Sequence, residues 1–291
     1  MNRTKTIGIV GCGTMGTGIA IVAARAGFKT RIYDLRPEPL ENARKQAAAF
    51  LKKSVERGKL PAGEDVLIMS QFLTTTEIKD FADCDLVIEA VFEDLKVKHS
   101  IFKQLNEVCH AETIFASNTS TISITEIAGG SGRADRFVGM HFCLPAQLMK
   151  LVEMSPGLNT SESTFDQAWK LAEDMGQRPV RTRDTPGFIL NYFLIPFHND
   201  VINIVDQGVA TPSDIDLAVK TALGYPLGPL ELLDMVGMDT QLLLCDAMHG
   251  LTHEPRAACP PLVKRMIGAG RLGRKSGQGF HTYDSNKIFG A

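Results

Sequence analysis

Gly11, Gly13 and Gly16 stand in the run Gly11-Cys12-Gly13-Thr14-Met15-Gly16, directly after the apolar residues 7–10. This G-x-G-x-x-G spacing is suited to holding a pyrophosphate. Gly11 permits a tight turn, Gly13 lets the backbone come close to the phosphates, and Gly16 lets the following helix lie against the strand. A helix over residues 14–26, beginning with Thr14 and Met15, points its unpaired N–H groups at the anion, where the helix dipole also favours negative charge. Gly27 ends that helix as a C-terminal cap. A second strand, residues 30–33, runs into Asp34, at the spacing where a carboxylate binds both hydroxyls of an adenosine ribose. A 2'-phosphate at that point would meet a like charge, at roughly 4 kcal/mol per unit pair at 4 Å and an effective dielectric of 20. NAD is therefore expected over NADP, with Arg36 able to soften the bias; equal turnover with NADPH and NADH would overturn it.

The elements that position this turn are legible on both sides of it. Pro37 opens a long helix to about residue 57, carrying Glu41, Arg44, Lys45, Lys52 and Lys53; a turn at 58–63 and a helix at 64–69 complete a helical hairpin. Its charge suits either a solvated face or a phosphate-bearing ligand. Strand-like runs at 72–75, 86–90 and 113–116 then alternate with helical stretches at 77–81 and 95–109, the pattern of a parallel, doubly wound sheet. Ligands bind beyond the carboxyl ends of such strands. Glu93 and Lys98 follow one end, and Ser117-Asn118-Thr119-Ser120 the next. Two further strand-like runs, 136–141 and 149–154, flank a loop containing Pro145, and antiparallel pairing across it brings His141 and Glu153 face to face. A helix at 161–175 closed by Gly176 and a strand at 178–183 follow.

From Asp184 the pattern changes. Phe188, Ile189, Phe193, Phe197, Val201, Ile204 and Val205 recur at helical spacing on a helix bent or started near Pro196. Thr211-Pro212 opens another helix, and residues 230–236 and 240–247 are helical too. The expected architecture is a Rossmann-type α/β domain over residues 1–184, with a mainly parallel sheet and a helical hairpin insertion, followed by an all-α domain over 185–291. The apolar stripes of the second domain are wide enough to include a subunit interface.

A chain of 291 residues is long enough for two such domains. Its 31 basic and 33 acidic residues, formal net charge -2, give no basic field for nucleic acid. The six cysteines include no C-x-x-C pair and no metal-ligand spacing. No metal is expected, and reduced thiols in a cytoplasmic protein are. Residues 1–5 run directly into the first strand, leaving no room for a signal peptide, and Phe289-Gly290-Ala291 is neither a prenylation nor a peroxisomal signal. No apolar run approaches the roughly 18 residues of a membrane span.

Ordered blocks across both domains carry a family resemblance. Besides the glycine turn they are Glu89-Ala90-Val91-Phe92-Glu93 with Lys98, Ser117-Asn118-Thr119-Ser120, and His141-Phe142 followed by Met149-Lys150-Leu151-Val152-Glu153. The second domain adds Asp184-Thr185-Pro186-Gly187-Phe188-Ile189-Leu190-Asn191, Gly224-Tyr225-Pro226-Leu227-Gly228-Pro229-Leu230-Glu231-Leu232 and Gly273-Arg274-Lys275-Ser276-Gly277-Gln278-Gly279-Phe280. Over nearly its whole length the chain resembles the short, monofunctional L-3-hydroxyacyl-CoA dehydrogenases, and is similar to 3-hydroxybutyryl-CoA dehydrogenases.

The resemblance implies NAD-dependent, reversible oxidation of a 3-hydroxyacyl-CoA to the 3-oxoacyl-CoA, a place in fatty acid metabolism, and a homodimer through the helical domain. It implies His141 as general acid/base and Glu153 as the carboxylate that holds its ring. The chemistry requires a base at the hydroxyl while hydride leaves the same carbon, and a carboxylate on the other ring nitrogen fixes the tautomer and stabilises imidazolium. His99, His110, His198, His249, His253 and His281 have no such setting and are assigned to structure or surface. Ser120 is implied as the partner of the reacting oxygen and the nicotinamide region, and Asn191 as a polar group near the dyad and thioester. A helix-cap serine and a helix-start asparagine are the plainer alternatives for these two. Glu93 and Lys98 resemble nicotinamide-ribose contacts; Ser54 and Lys59 on the hairpin are candidates for the adenine nucleotide of CoA.

The chain also departs from that family. The usual continuation H-F-F-N-P-V-P is here His141-Phe142-Cys143-Leu144-Pro145-Ala146-Gln147, and Leu144 cannot supply the asparagine's hydrogen bond. The usual arginine after Asn191 is Tyr192. Neither change touches the dyad, so a modified acyl preference, for a substituted or non-linear chain, is expected. Two other readings stand beside this one. A dehydrogenase of the 3-hydroxyisobutyrate or 6-phosphogluconate type would use a lysine as base and survive loss of His141. A paralogue that keeps NAD without efficient catalysis would bind it and turn over no acyl-CoA.

Overall fold

The computed structural model describes residues 5–283, and the terminal segments considered for targeting, 1–4 and 289–291, lie outside the described residues. Two compact units result, with the break between Phe188 and Ile189.

The first unit follows the order β1 (Thr6–Val10), α1 (Thr14–Arg25), β2 (Lys29–Tyr33), α2 (Pro37–Glu56), α3 (Glu64–Gln71), β3 (Phe72–Thr75), β4 (Leu86–Glu89), α4 (Leu95–Val108), β5 (Ile114–Ser117), α5 (Ile124–Gly129), β6 (Phe137–Phe142), β7 (Leu151–Pro156), α6 (Glu162–Asp174) and β8 (Arg178–Arg181). These make one eight-stranded sheet in the order β3-β2-β1-β4-β5-β6-β7-β8. Every pairing is parallel except β6 with β7. β1, β4 and β5 are buried along their whole length, as strands covered on both faces must be, and their sequences are accordingly almost unbroken apolar runs. Side chains alternate between two cores: Ile7, Ile9, Leu86 and Ile88 face Ile19 and Leu51, whereas Val10, Val87 and Phe115 face Phe102 and Phe137. Each such side chain contributes roughly 1.5–3 kcal/mol on burial.

The chain winds outward from β1 through β2 to β3, then returns to lay β4 on the other side of β1. That reversal opens a crevice at the carboxyl ends of β1 and β4, where ligands of such sheets bind. Two details differ from the sequence expectations. Residues 77–81, expected as a helix, form only a 3-10 turn over Ile78–Phe81. The short α5 was not expected, because its N-terminus is held from far along the chain: the Asp184 carboxylate accepts from Ile124 N at 2.7 Å, Thr125 N at 2.8 Å and the hydroxyls of Ser123 and Thr125.

The second unit is helical among its described residues: α7 (Leu190–Asp206), α8 (Pro212–Leu223), α9 (Pro229–Val236), α10 (Met238–Thr252) and α11 (Pro261–Gly268). α7 starts at Leu190 and carries Pro196 inside it. Val201, Ile202, Ile215, Leu230, Leu233, Met238, Val263 and Met266 form the core. Two buried carboxylates organise the chain around it. Asp216 accepts from Leu230 N and Glu231 N at the start of α9 and contacts His281 Nε2 at 2.7 Å. Asp234 accepts from Phe280 N, His281 N and the Tyr283 hydroxyl. No helix among the described residues is long and apolar enough to cross a membrane.

Burial in α7 pushes the His198 imidazole down from 6.5 to about 4. The unfolded chain then binds a proton that the folded chain refuses. His198 therefore favours the fold fully above its unfolded value and loses that contribution as the pH falls from 6.5 towards 4, by up to about 3 kcal/mol. The thermal midpoint should fall between neutral pH and about pH 5, and fall less in His198→Phe; parallel pH dependences in the two proteins would rule this out.

Candidate active site

The carboxyl ends of β1 and β4 meet at the pair Val10 and Glu89. Beyond Val10 the glycine turn folds under close backbone constraints. Gly11 has φ +96, and its N–H donates to Tyr33 O at 2.9 Å. A Cβ on Gly16 would lie 1.8 Å from Gly11 O. A Cβ on Gly13 would meet nothing within 4 Å, and its backbone, φ -65 and ψ -172, is one that any residue adopts. α1 has no side-chain N-cap and no acidic residue in its first turn, so its positive end is left for an anion.

Asp34 stands beside this turn at the end of β2. Its Oδ2 accepts from the Cys12 N–H at 3.3 Å and the Cys12 thiol at 3.1 Å, while Oδ1 faces Arg36 N at 3.4 Å. Burial, and then the neighbouring Asp34, push the Cys12 thiol up to about 12, so it remains a donor. A glycine cradle, an uncapped helix end and a fixed carboxylate fit an adenine dinucleotide.

On the other side of β5, β6 and β7 pair antiparallel with His141 opposite Glu153, the register expected from the sequence. Glu153 is fully buried, and its Oε2 lies 2.7 Å from His141 Nδ1. A carboxylate can only accept, so Nδ1 carries the hydrogen and Nε2 is left as the acceptor. Nε2 faces Ser120 Oγ at 3.2 Å. The Phe188 ring lies 5.5 Å from the imidazole, and Asn118 Oδ1 accepts from Phe142 N at 2.9 Å, holding the strand end. Phe188 sits at φ +49, a conformation uncommon outside glycine.

Ser120 is held by a second charged group. Glu93 Oε1 accepts from Ser120 N at 2.9 Å, Thr121 N at 3.1 Å and the hydroxyls of Thr119 and Thr121, and its Oε2 pairs with Lys98 Nζ at 3.1 Å. Burial works against that charge, yet Lys98 and these hydrogen bonds hold the Glu93 carboxyl below its ordinary range. Lys98, 1% exposed, also contacts Glu89 Oε1 at 2.7 Å. Sequence reasoning assigned no role to Glu89, Asn118, Thr119 or Asp184, and it put Phe188 on the apolar stripe of the following helix, whereas α7 begins only at Leu190 and Phe188 packs beside His141. The available signal for Glu89 was a carboxylate ending the otherwise apolar run Leu86-Val87-Ile88.

The structure thus brings together Ser120, His141, Glu153, Glu93 and Lys98. It places the hairpin candidates differently. Ser54 is buried on α2 with its hydroxyl donating to Phe50 O at 2.8 Å, whereas Lys59 is exposed in the turn after α2. Asn191 and Tyr192 lie on the first turn of α7, Asn191 half-buried and Tyr192 exposed. Leu144 is 52% exposed, and Leu148 and Met149 in the same loop are exposed as well. Among the described residues no group of three or more His, Cys, Asp or Glu is placed to hold a metal ion.

Comparison with known proteins gives concordant results. The model of the 3-hydroxyacyl-CoA dehydrogenase NAD-binding domain matches residues 6–185, and that of the 3-hydroxyacyl-CoA dehydrogenase C-terminal domain matches 187–283. A probable 3-hydroxybutyryl-CoA dehydrogenase of Deinococcus radiodurans is 43% identical over 95% of this chain and 99% of its own. One of Bacillus subtilis is 41% identical, covering 96% and 98%. Among solved structures, Mycobacterium tuberculosis FadB2 superposes with a TM-score of 0.93 at 38% identity, over 97% of this chain and 100% of that one.

Proposed function

The chain belongs to the 3-hydroxyacyl-CoA dehydrogenase family, and from that premise we propose that His141 and Glu153 perform its NAD-dependent oxidation of a 3-hydroxyacyl-CoA, on an acyl group selected in part by Leu144. The observation that carries this reading is the line of contacts from Ser120 Oγ to His141 Nε2 and from His141 Nδ1 to Glu153. Residues 1–184 are the nucleotide-binding half and 185–291 the substrate and dimerisation half.

In the oxidising direction Nε2 takes the proton of the 3-hydroxyl as the bond from C3 to hydride breaks. Glu153 keeps the ring in the required tautomer and stabilises the imidazolium that forms. Ser120 hydrogen-bonds the same oxygen, confining it to one lone-pair direction. The chemistry supplied by NAD when bound is acceptance of that hydride. Gly11, Gly13, Thr14, Met15 and Gly16 hold its pyrophosphate, Asp34 its adenosine ribose, and Glu93 and Lys98 its nicotinamide end. Asn191 serves the thioester. On the hairpin, Lys59 carries the proposed contact with the CoA adenine nucleotide, since Ser54 would have to give up Phe50 O. Free cysteines suit a reducing cytoplasm. Exposed Leu217, Leu223, Leu243 and Leu251 support a homodimer through the helical half, for which light scattering at the mass of a single 31.7 kDa chain would be adverse.

Leu144, Leu148 and Met149 give the loop between His141 and Glu153 an apolar exposed side. Relative kcat/KM on 3-oxoacyl-CoA substrates of four carbons, of longer chains and of branched chains tests the acyl proposal. The wild-type chain should favour a branched or otherwise substituted group, and Leu144→Asn should shift the ratio towards four carbons by roughly tenfold, the effect of one apolar contact. An ordinary four-carbon preference, unmoved by the substitution, would remove Leu144 from the account.

A further inference from the structure

Glu89 is the last residue of β4 and is fully buried, in register with Val10 of β1 on one side and Ser117 of β5 on the other. Removing a carboxylate from water is expensive unless every lone pair finds a donor. Here the donors are specific. Oε1 accepts from Val91 N and Lys98 Nζ, both at 2.7 Å, and Oε2 accepts from Ser117 Oγ at 2.6 Å.

Two branches leave this carboxylate and converge on one turn. The first runs through Lys98 to Glu93, whose Oε1 gathers Ser120 N, Thr121 N and two threonine hydroxyls. The second runs through Ser117 Oγ, which accepts from Thr119 N at 3.2 Å. The turn at 119–121 carries Ser120, whose Oγ lies 3.2 Å from His141 Nε2. Joining β4 to β5 would not in itself need a charged group, because the backbone ladder already does so. What the carboxylate adds is a fixed place for the Lys98 ammonium and, through it, for Glu93.

We propose that Glu89 is a positioning residue of the reaction: through Lys98 and Glu93, and separately through Ser117, it sets the 119–121 turn so that Ser120 meets His141. This rests on the reading above that Ser120 and His141 face the reacting oxygen. Glu89 touches neither substrate nor cofactor and acts only through these neighbours. Small displacements of a catalytic contact lower turnover steeply, so the effect belongs in kcat more than in substrate KM.

The test compares Glu89→Gln, Ser117→Ala and His141→Ala with the wild-type chain. It measures kcat and KM with acetoacetyl-CoA, the Kd for NADH by fluorescence titration, and the thermal midpoint. Glu89→Gln should lose tenfold or more in kcat with the acetoacetyl-CoA KM within twofold, and its Kd for NADH should rise several-fold through Lys98 and Glu93. Ser117→Ala cuts only the second branch. It should lose threefold or more in kcat while its Kd for NADH stays close to wild type, and its thermal midpoint should fall by a few degrees because Glu89 Oε2 loses its donor. If Glu89→Gln does not fold, Ser117→Ala decides alone. A kcat within twofold of wild type in Ser117→Ala, or in folded Glu89→Gln, overturns the proposal. Wild-type turnover in His141→Ala would overturn the underlying reading instead, so the two failures are distinguishable.

Discussion

Gly13→Ala should fold as the wild-type chain does and yet raise the KM for NADH tenfold or more, whereas Gly16→Ala should disrupt the turn itself. At Gly13 the protein offers no reason for glycine. The backbone is extended, φ -65 and ψ -172, and an added Cβ would meet nothing within 4 Å. The space is needed by whatever approaches that backbone, which in this account is the pyrophosphate. At Gly16 the added Cβ would lie 1.8 Å from the carbonyl oxygen of Gly11, a backbone atom that cannot swing aside. Either α1 lifts from β1, pulling on Ile19, Ile21 and Val22 in the core, or the turn opens. Forced overlap of this kind belongs with the few single substitutions that cost more than about 4 kcal/mol. Thermal midpoints and NADH titrations of the two variants separate the cases. An unchanged KM for NADH in Gly13→Ala would move the cofactor away from this turn, and a stable Gly16→Ala would mean that the close packing is dispensable.

Much of this site was legible because its signals are local. The glycine turn and Asp34 are set by one strand, one helix and the next strand, and the structure returns them with element ends shifted by a residue or two. The pairing of His141 with Glu153 was readable for a similar reason: a single loop joins their strands, and antiparallel pairing across it sets the two residues opposite each other. Glu89 was not legible in the same way. Its partners stand nine and twenty-eight residues further on, and they become partners only when β4, α4 and β5 are assembled. α5 was missed because a six-residue helix has little periodicity, and the Asp184 carboxylate that accepts from its first N–H groups beside the Ser123 cap is sixty residues away from Ile124. Ser54 shows the converse. A serine on a charged helix reads as available, yet its face of α2 is turned inward and its hydroxyl bonds to Phe50 O.

The largest loss of turnover should follow from His141→Ala. The variant keeps the glycine turn, Asp34, Glu93 and Lys98, so it should bind NADH as the wild-type chain does. It removes the ring nitrogen that faces Ser120 Oγ and the imidazole that Glu153 orients. General acid/base catalysis is typically worth roughly a hundredfold to ten-thousandfold. The measurement that tests the account most directly is the initial rate of NADH oxidation with acetoacetyl-CoA near neutral pH, for the wild-type chain and His141→Ala at matched NADH saturation. Rapid turnover in the first and a loss of about a thousandfold in the second, with equal NADH affinity, is the predicted result. Comparable rates in the two proteins, or a wild-type chain that binds NADH and turns over no 3-oxoacyl-CoA, would contradict it.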